Sequence, residues 1–251
     1  MTKPLILVSN DDGIDAKGVH CLIDRLVKLG DVLCVCPDSP RSGQSMAITV
    51  NSPLRIHRHD DYNGARMYSV NGTPVDCVKI AMHCLAERKP DLMVSGINHG
   101  SNAAVNVVYS GTMGAAFEAC ACKIPAIGFS LTSHNPDADF SGSIPFVDKI
   151  VEDVLAAGLP DGICLNVNIP YSNPAPTEMR VTKAARGKWT DEYQEYTDPN
   201  GKPFYWLTGR FVNDEPDNPD TDEWLLAHGI VSIVPTALDR TAHIPEYKLR
   251  T

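Results

Sequence analysis

The run Leu5-Ile6-Leu7-Val8 is apolar at every position. Successive side chains of a strand point to opposite faces, so a strand with no polar alternation has to be covered on both. That requirement points to a buried strand of a parallel sheet flanked by helices. The run stops at Asn10-Asp11-Asp12-Gly13, where two adjacent carboxylates repel each other. In an open α/β sheet, ligands bind at the carboxyl ends of the strands. One reading of the acidic pair is therefore a hard divalent cation held by oxygen ligands. The other is a solvated turn, because Asn, Asp and Gly are good turn formers.

Strand-like and helix-like patterns then alternate. A helical pattern over 16–29 ends at Gly30, a residue suited to a left-handed cap. A second buried strand follows at 31–36, then a polar loop, Pro37-Asp38-Ser39-Pro40-Arg41-Ser42-Gly43-Gln44-Ser45. Alternating runs at 54–59 and 65–70 flank a turn and predict a hairpin. Thr73-Pro74-Val75-Asp76 predicts a capped helix reaching residue 87. Further strands are expected at 91–94, 124–129, 163–169 and 231–234, with helices at 110–122 and 145–157. The expected fold is α/β, a Rossmann-like, doubly wound, mostly parallel sheet. Residues 171–222 lack periodicity and are rich in Pro, Asn, Asp, Tyr and Trp. They read as an extended arm or hairpin excursion from one domain spanning 1–251, whose core is 1–170 and 223–251.

A formal net charge of −9 argues against a binder of nucleic-acid polymers, which needs a basic face. No apolar stretch approaches membrane-spanning length, and no signal-like segment opens the chain, so a cytoplasmic protein without a membrane partner is expected. The eight cysteines include no C-x-x-C pair. Buried reduced thiols account for nearly all of them, with Cys21, Cys77 and Cys84 on apolar helical faces.

Four polar loops fall at the carboxyl ends of predicted strands: Asn10 to Gly13, Arg41 to Ser45, Ser95-Gly96-Ile97-Asn98, and Asn166-Val167-Asn168-Ile169-Pro170. On one edge of a parallel sheet they can converge. Two carboxylates, a hydroxyl and an amide carbonyl form an all-oxygen set suited to Mg²⁺ or Mn²⁺. Ser110-Gly111-Thr112 opens a predicted helix, where free amides and the helix dipole favour an anion. Each element also has a structural reading: Ser42-Gly43 as a plain turn, Asn98 as a cap, Ser110 to Thr112 as an N-cap with close packing. His99 is a candidate acid or base, or simply a solvated side chain.

The strings Val8-Ser9-Asn10-Asp11-Asp12-Gly13, Val94-Ser95-Gly96-Ile97-Asn98, Tyr109-Ser110-Gly111-Thr112 and Leu165-Asn166-Val167-Asn168-Ile169-Pro170 resemble the SurE family. These are the stationary-phase survival protein E 5′/3′-nucleotidases. Thr221-Asp222, the segment Gly229 to Pro235, and Asp239 resemble its C-terminal signature. The resemblance implies a divalent-metal phosphatase acting on nucleoside monophosphates, in some members also on short polyphosphate. It implies one Mg²⁺ or Mn²⁺ per subunit on Asp11, Asp12, Ser42 and Asn98, with Asp11, Asp12 and Asn10 catalytic. Asn10, Ser110, Gly111 and Thr112 would line the phosphate position, with Asn102 close by. It also implies a C-terminal arm used to build a homodimer or homotetramer. Where many relatives carry glycine and aspartate after the asparagine, this chain has Ala103-Ala104 and Asn106, which removes a negative charge. Two rivals stand beside the phosphatase: a metal-dependent nucleoside hydrolase, and a nucleotide-sensing module without catalysis.

Overall fold

Alternation along each buried strand divides the core into two layers. In the computed structural model, which describes residues 3–241, β1 (Leu5–Ser9) sends Ile6 and Val8 to one layer and Leu5 and Leu7 to the other. Strand β2 (Asp31–Pro37) does the same, with Val32, Cys34 and Cys36 opposite Leu33 and Val35. Helices α1 (Lys17–Leu26) and α4 (Ile144–Ala157) cover the first layer. Helices α2 (Pro74–Ile80) and α3 (Gly111–Ala121) cover the second. The sheet is thus doubly wound, as its unbroken apolar strands require.

The remaining strands are β3 (Ile56–Arg58), β4 (Arg66–Val70), β5 (Leu92–His99), β6 (Ala126–Leu131), β7 (Ile163–Ile169), β8 (Met179–Val181), β9 (Gly187–Thr190), β10 (Tyr193–Thr197), β11 (Pro203–Leu207), β12 (Arg210–Asn213) and β13 (Val231–Ala237). Nine strands form the main sheet in the order β3-β4-β2-β1-β5-β6-β7-β13-β8. From β4 to β7 neighbouring strands are parallel; β3 and β13 pair antiparallel with β4 and β7. The chain winds from β1 towards β2 on one side and later towards β5 on the other. The gap between β1 and β5 is therefore the switch point at which such sheets bind ligands.

Several expected elements end elsewhere. Helix α2 has the capping box read from Thr73 and Asp76, but a wider π turn at Ala81–Leu85 replaces its last turns before residue 87. Cys84 on that turn is exposed, contrary to its expected burial. Strand β5 runs past Val94 to His99 because its register against β6 shifts between Ser95 and Asn98. Asn166 and Asn168 lie inside β7 rather than in a loop after it. The excursion contributes β8 to the main sheet before leaving it, then builds the pairs β9–β12 and β10–β11. A short helix, α5 (Asp222–Ala227), follows. Residues 242–251 of the expected core lie outside the described residues.

Among the described residues no helix is long and apolar enough to cross a membrane.

Candidate active site

The turn after β1 is built by its own asparagine. Asn10 Nδ2 donates to the Gly13 carbonyl at 2.8 Å, and the Gly13 amide donates to Asn10 Oδ1 at 3.2 Å. Gly13 adopts φ +100°, which an L side chain rarely takes. Asn10 is thus buried in the turn, where it shapes the backbone that presents Asp11 and Asp12.

Asp11 is buried against the start of α3. The Thr112 hydroxyl donates to Asp11 Oδ1 at 2.5 Å. A Cβ at Gly111 would stand 2.8 Å from Asp11 Cβ, so glycine permits this approach. Burial foremost raises the Asp11 carboxyl to about 6, assisted by the charge of Asp12 and opposed by hydrogen bonds from Thr112. Asp12 is also raised, mainly by burial, and its Oδ2 accepts the His99 amide at 3.3 Å. The carboxylates that follow β1 are thereby tied to α3 and to the end of β5.

Two more oxygens face the same cleft. Asn98 Nδ2 donates to the Gly100 carbonyl at 2.8 Å, which leaves Oδ1 as its remaining polar atom. Ser42 sits on an exposed loop anchored at both ends: the Arg41 amide donates to the Asp11 carbonyl at 2.7 Å, and the Ser45 amide to the Tyr109 carbonyl at 3.0 Å. Gly114 makes the loop's close approach to α3 possible, since a Cβ there would lie 2.2 Å from the Ser45 carbonyl oxygen.

Asp11, Ser42, Asn98, Asn102 and Ser110 all line one cleft of about 430 Å³. Asn10, Asp12, Gly111 and Thr112 are not among its lining residues; Gly111 and Thr112 pack against Asp11, and Asp12 accepts the His99 amide. Ser110 caps α3, its Oγ accepting the Met113 amide at 3.0 Å. The capping reading of this helix start is the one seen, and the Asp11 carboxylate stands against its first residues. His99 lines the cleft and packs edge-on to Phe140, with ring centroids 5.0 Å apart.

A ladder of amides holds the Asn102 loop. Its backbone N–H donates to Asn168 Oδ1 at 2.8 Å, its carbonyl accepts Asn166 Nδ2 at 2.8 Å, and its own Nδ2 reaches Ser130 Oγ at 2.8 Å. Asn166 and Asn168 thus serve the site by positioning Asn102. The next turn is strained: Ala104 sits at φ +51°, where an L residue costs about 1–2 kcal/mol. Its amide is held by Asp222 Oδ2 at 2.8 Å. Asn106 accepts a hydrogen bond: Trp189 Nε1 donates to its Oδ1 at 2.8 Å.

Among the described residues no group of three or more His, Cys, Asp or Glu side chains could hold a metal. The four residues expected to hold a cation, Asp11, Asp12, Ser42 and Asn98, offer two carboxylates, a neutral hydroxyl and a neutral amide oxygen. That hard, all-oxygen chemistry fits Mg²⁺ or Mn²⁺, and a cation would relieve the repulsion between Asp11 and Asp12.

Trp189, Phe211, His134 and Glu223 complete the cleft and were not found from sequence. Glu223 is raised to about 7 by burial, then by the neighbouring charge of Asp222. Between its ordinary value of 4.5 and about 7 the folded protein keeps a proton that the unfolded chain releases, so stability falls as pH rises through that window. Glu223→Gln removes the penalty. It is expected to raise stability at pH 8 by about 1–2 kcal/mol, a figure discounted for partial solvent screening, with little gain at pH 5. Urea denaturation at the two pH values checks this.

The match to known proteins extends over the whole of this architecture. The model of the family described as Survival protein SurE matches residues 6–191. The chain belongs to the SurE family. It is 47% identical over 241 residues to a protein of Phocaeicola vulgatus named 5′-nucleotidase SurE, covering 96% of this chain and 93% of that one. A protein of the same name from Flavobacterium psychrophilum is 48% identical over 245 residues, covering 97% and 95%. The crystal structure of the SurE protein from Aquifex aeolicus superposes with a TM-score of 0.81 at 36% identity, covering 95% of each chain. Family membership and the doubly wound sheet agree with the resemblance read from the motifs.

Proposed function

We propose that the protein is a divalent-metal-dependent phosphomonoesterase that releases phosphate from nucleoside 5′-monophosphates. The reading extends to 3′-monophosphates and short-chain polyphosphate, and to one Mg²⁺ or Mn²⁺ per subunit. The observation that carries it is the convergence of Asp11, Ser42 and Asn98 on one cleft at the β1–β5 switch point, beside the start of α3. Relatives covering nearly all of the chain are named 5′-nucleotidases, which supports the same activity here.

Asp11, Asp12, Ser42 and Asn98 would hold the cation. When bound, it would supply Lewis acidity towards a phosphoryl oxygen and lower the pKa of a bound water. The chain's own groups do the rest. The start of α3 directs its dipole and the amides of Gly111 and Thr112 towards negative charge, so Ser110, Gly111 and Thr112 form the phosphate end of the cleft. The Thr112 hydroxyl fixes the rotamer of Asp11, and Asn10 fixes the turn on which both aspartates stand. Asn102, immobilised by Asn166, Asn168 and Ser130, lines the same cleft. The attacking water is oriented by whichever of Asp11 and Asp12 retains a free oxygen. Both carboxylates are committed to holding the cation, which ranks an aspartyl-phosphate intermediate lower.

The reading includes a cytoplasmic location and assembly as a homodimer or homotetramer. Exposed Tyr193, Tyr205, Trp206 and Leu207 on the β10–β11 hairpin support the assembly.

The test is phosphate release from a panel of nucleoside 5′- and 3′-monophosphates with Mg²⁺, with Mn²⁺, or with EDTA. Metal-dependent release, faster from the 5′ esters and lost in EDTA, is the expected result. Free base instead of phosphate would favour a nucleoside hydrolase. Nucleotide binding without turnover under any metal would favour a sensing module.

A further inference from the structure

The cleft does not end at the phosphate end. It continues onto a wall that the arm contributes, where Trp189 of β9 and Phe211 of β12 stand opposite each other in an antiparallel ladder. Their rings meet at 64° with centroids 6.3 Å apart. Three features show that this wall is built rather than incidental. The indole N–H is spent on Asn106 Oδ1, so the ring is held in one orientation and its only polar atom is satisfied inside the protein. Gly187 makes room for the Phe211 ring, since a Cβ there would lie 2.3 Å from Phe211 Cζ. Asn106 belongs to the same loop that presents Asn102 to the cleft, so the aromatic wall and the phosphate end are indexed to each other.

We propose that Trp189, backed by Phe211 and pinned by Asn106, is the platform on which the base of the substrate stacks. Trp189 and Phe211 then discriminate nucleotides from other phosphomonoesters. This rests on the phosphomonoesterase reading above. The occupant is chosen by the chemistry of the wall. A flat, neutral heteroaromatic ring gains stacking energy on an indole face whatever its hydrogen-bonding pattern. A second anionic group on this wall, away from the phosphate end, would need cationic side chains beside it. Among the described residues no Lys or Arg lines the cleft, and Glu223 adds an acid. The volume of about 430 Å³ falls within the range of pockets that enclose small ligands. Asn106 lines the cleft as well, and its hydrogen bond to the indole makes it the positioning residue for Trp189.

The experiment compares AMP with ribose 5-phosphate, which has the same phosphoester and sugar but no base. Trp189→Ala is expected to reduce the ratio of kcat/KM for AMP over ribose 5-phosphate by roughly ten- to a hundred-fold, the range of one base–aromatic stack, and chiefly through KM. Trp189→Phe, which keeps a ring, should recover much of that ratio. Asn106→Ala should raise KM for AMP with little change in kcat. Adenosine binding, followed by tryptophan fluorescence in the wild type and in Trp189→Phe, gives a readout independent of turnover. If neither ester is hydrolysed yet adenosine binds and Trp189→Ala weakens it, the phosphatase reading fails and the platform stands. An unchanged substrate ratio in a folded Trp189→Ala variant overturns the platform. So does an equal loss on both esters, or adenosine binding that is indifferent to Trp189.

Discussion

Asp12→Ala lowers kcat/KM for nucleoside 5′-monophosphates by at least about 10²–10³-fold while leaving the protein folded. The magnitude is that of removing one preorganised electrostatic group from a water-poor site. Asp12 differs from Asp11 in what holds it. Asp11 is buried under Thr112, whereas Asp12 is half-buried and accepts only the His99 amide, at 3.3 Å. Its removal therefore forfeits one weak hydrogen bond and relieves like-charge repulsion, so the expected change in Tm is small. Asp12→Asn separates charge from shape, because its carbonyl oxygen can still accept from His99. Activity should fall almost as far as in Asp12→Ala, and titration should show weakened Mn²⁺ or Mg²⁺ affinity. An Asp12→Asn protein with wild-type turnover would remove the case for a cation held by the acidic pair.

Legibility in the sequence followed from how local each signal is. A strand covered on both faces writes itself into four consecutive residues, which is why β1 and β2 were placed from Leu5 to Val8 and from residues 31–36. The Thr73–Asp76 capping box is equally local and was read correctly. Its helix was expected to reach residue 87, but a π turn at Ala81–Leu85 replaces the last turns with a different backbone. Strand β5 was expected to end at Val94, with Ser95-Gly96-Ile97-Asn98 as a polar loop after it. In the fold the Gly96 φ of +119° lets the strand run on within 2.3 Å, from an added Cβ, of the Phe129 carbonyl. Asp11, Ser42 and Asn98 were read together because strand ends converge by topology, and Ser110 because it opens a helix; the structure brings these four to one cleft. Trp189 and Phe211 were not read with them, since the arm that carries them has no period linking it to the sheet. Their proximity to the cleft depends on single long-range contacts such as Trp189 to Asn106, 83 residues apart.

Asp222 is the residue through which that long-range order becomes a matter of stability. Its side chain is fully buried, and its carboxylate accepts three backbone amides, from Ala104, Ala185 and Glu223, each at 2.8 Å. Burial raises its pKa, and these three hydrogen bonds oppose the rise. Asp222→Ala would leave three amides without their acceptor, and is expected to cost about 3–5 kcal/mol. Asp222→Asn is no easy rescue, because one of its two acceptor oxygens becomes an NH₂ group facing an N–H donor. The damage should also be directional. Ala104 occupies a left-handed conformation that its Asp222 contact helps to hold, and it leads directly to Asn106. Ala185 leads to Gly187 and Trp189. The folded fraction of Asp222→Ala should therefore show a raised KM for AMP on top of its lowered urea midpoint, with the m-value nearly unchanged. Ala104→Gly removes the left-handed penalty at one of the two anchored turns, so combining it with Asp222→Ala should recover part of the lost stability. A wild-type urea midpoint for Asp222→Ala would mean that the arm and the Asn102 loop are held together by other contacts, and that Asp222 is not the joint between them.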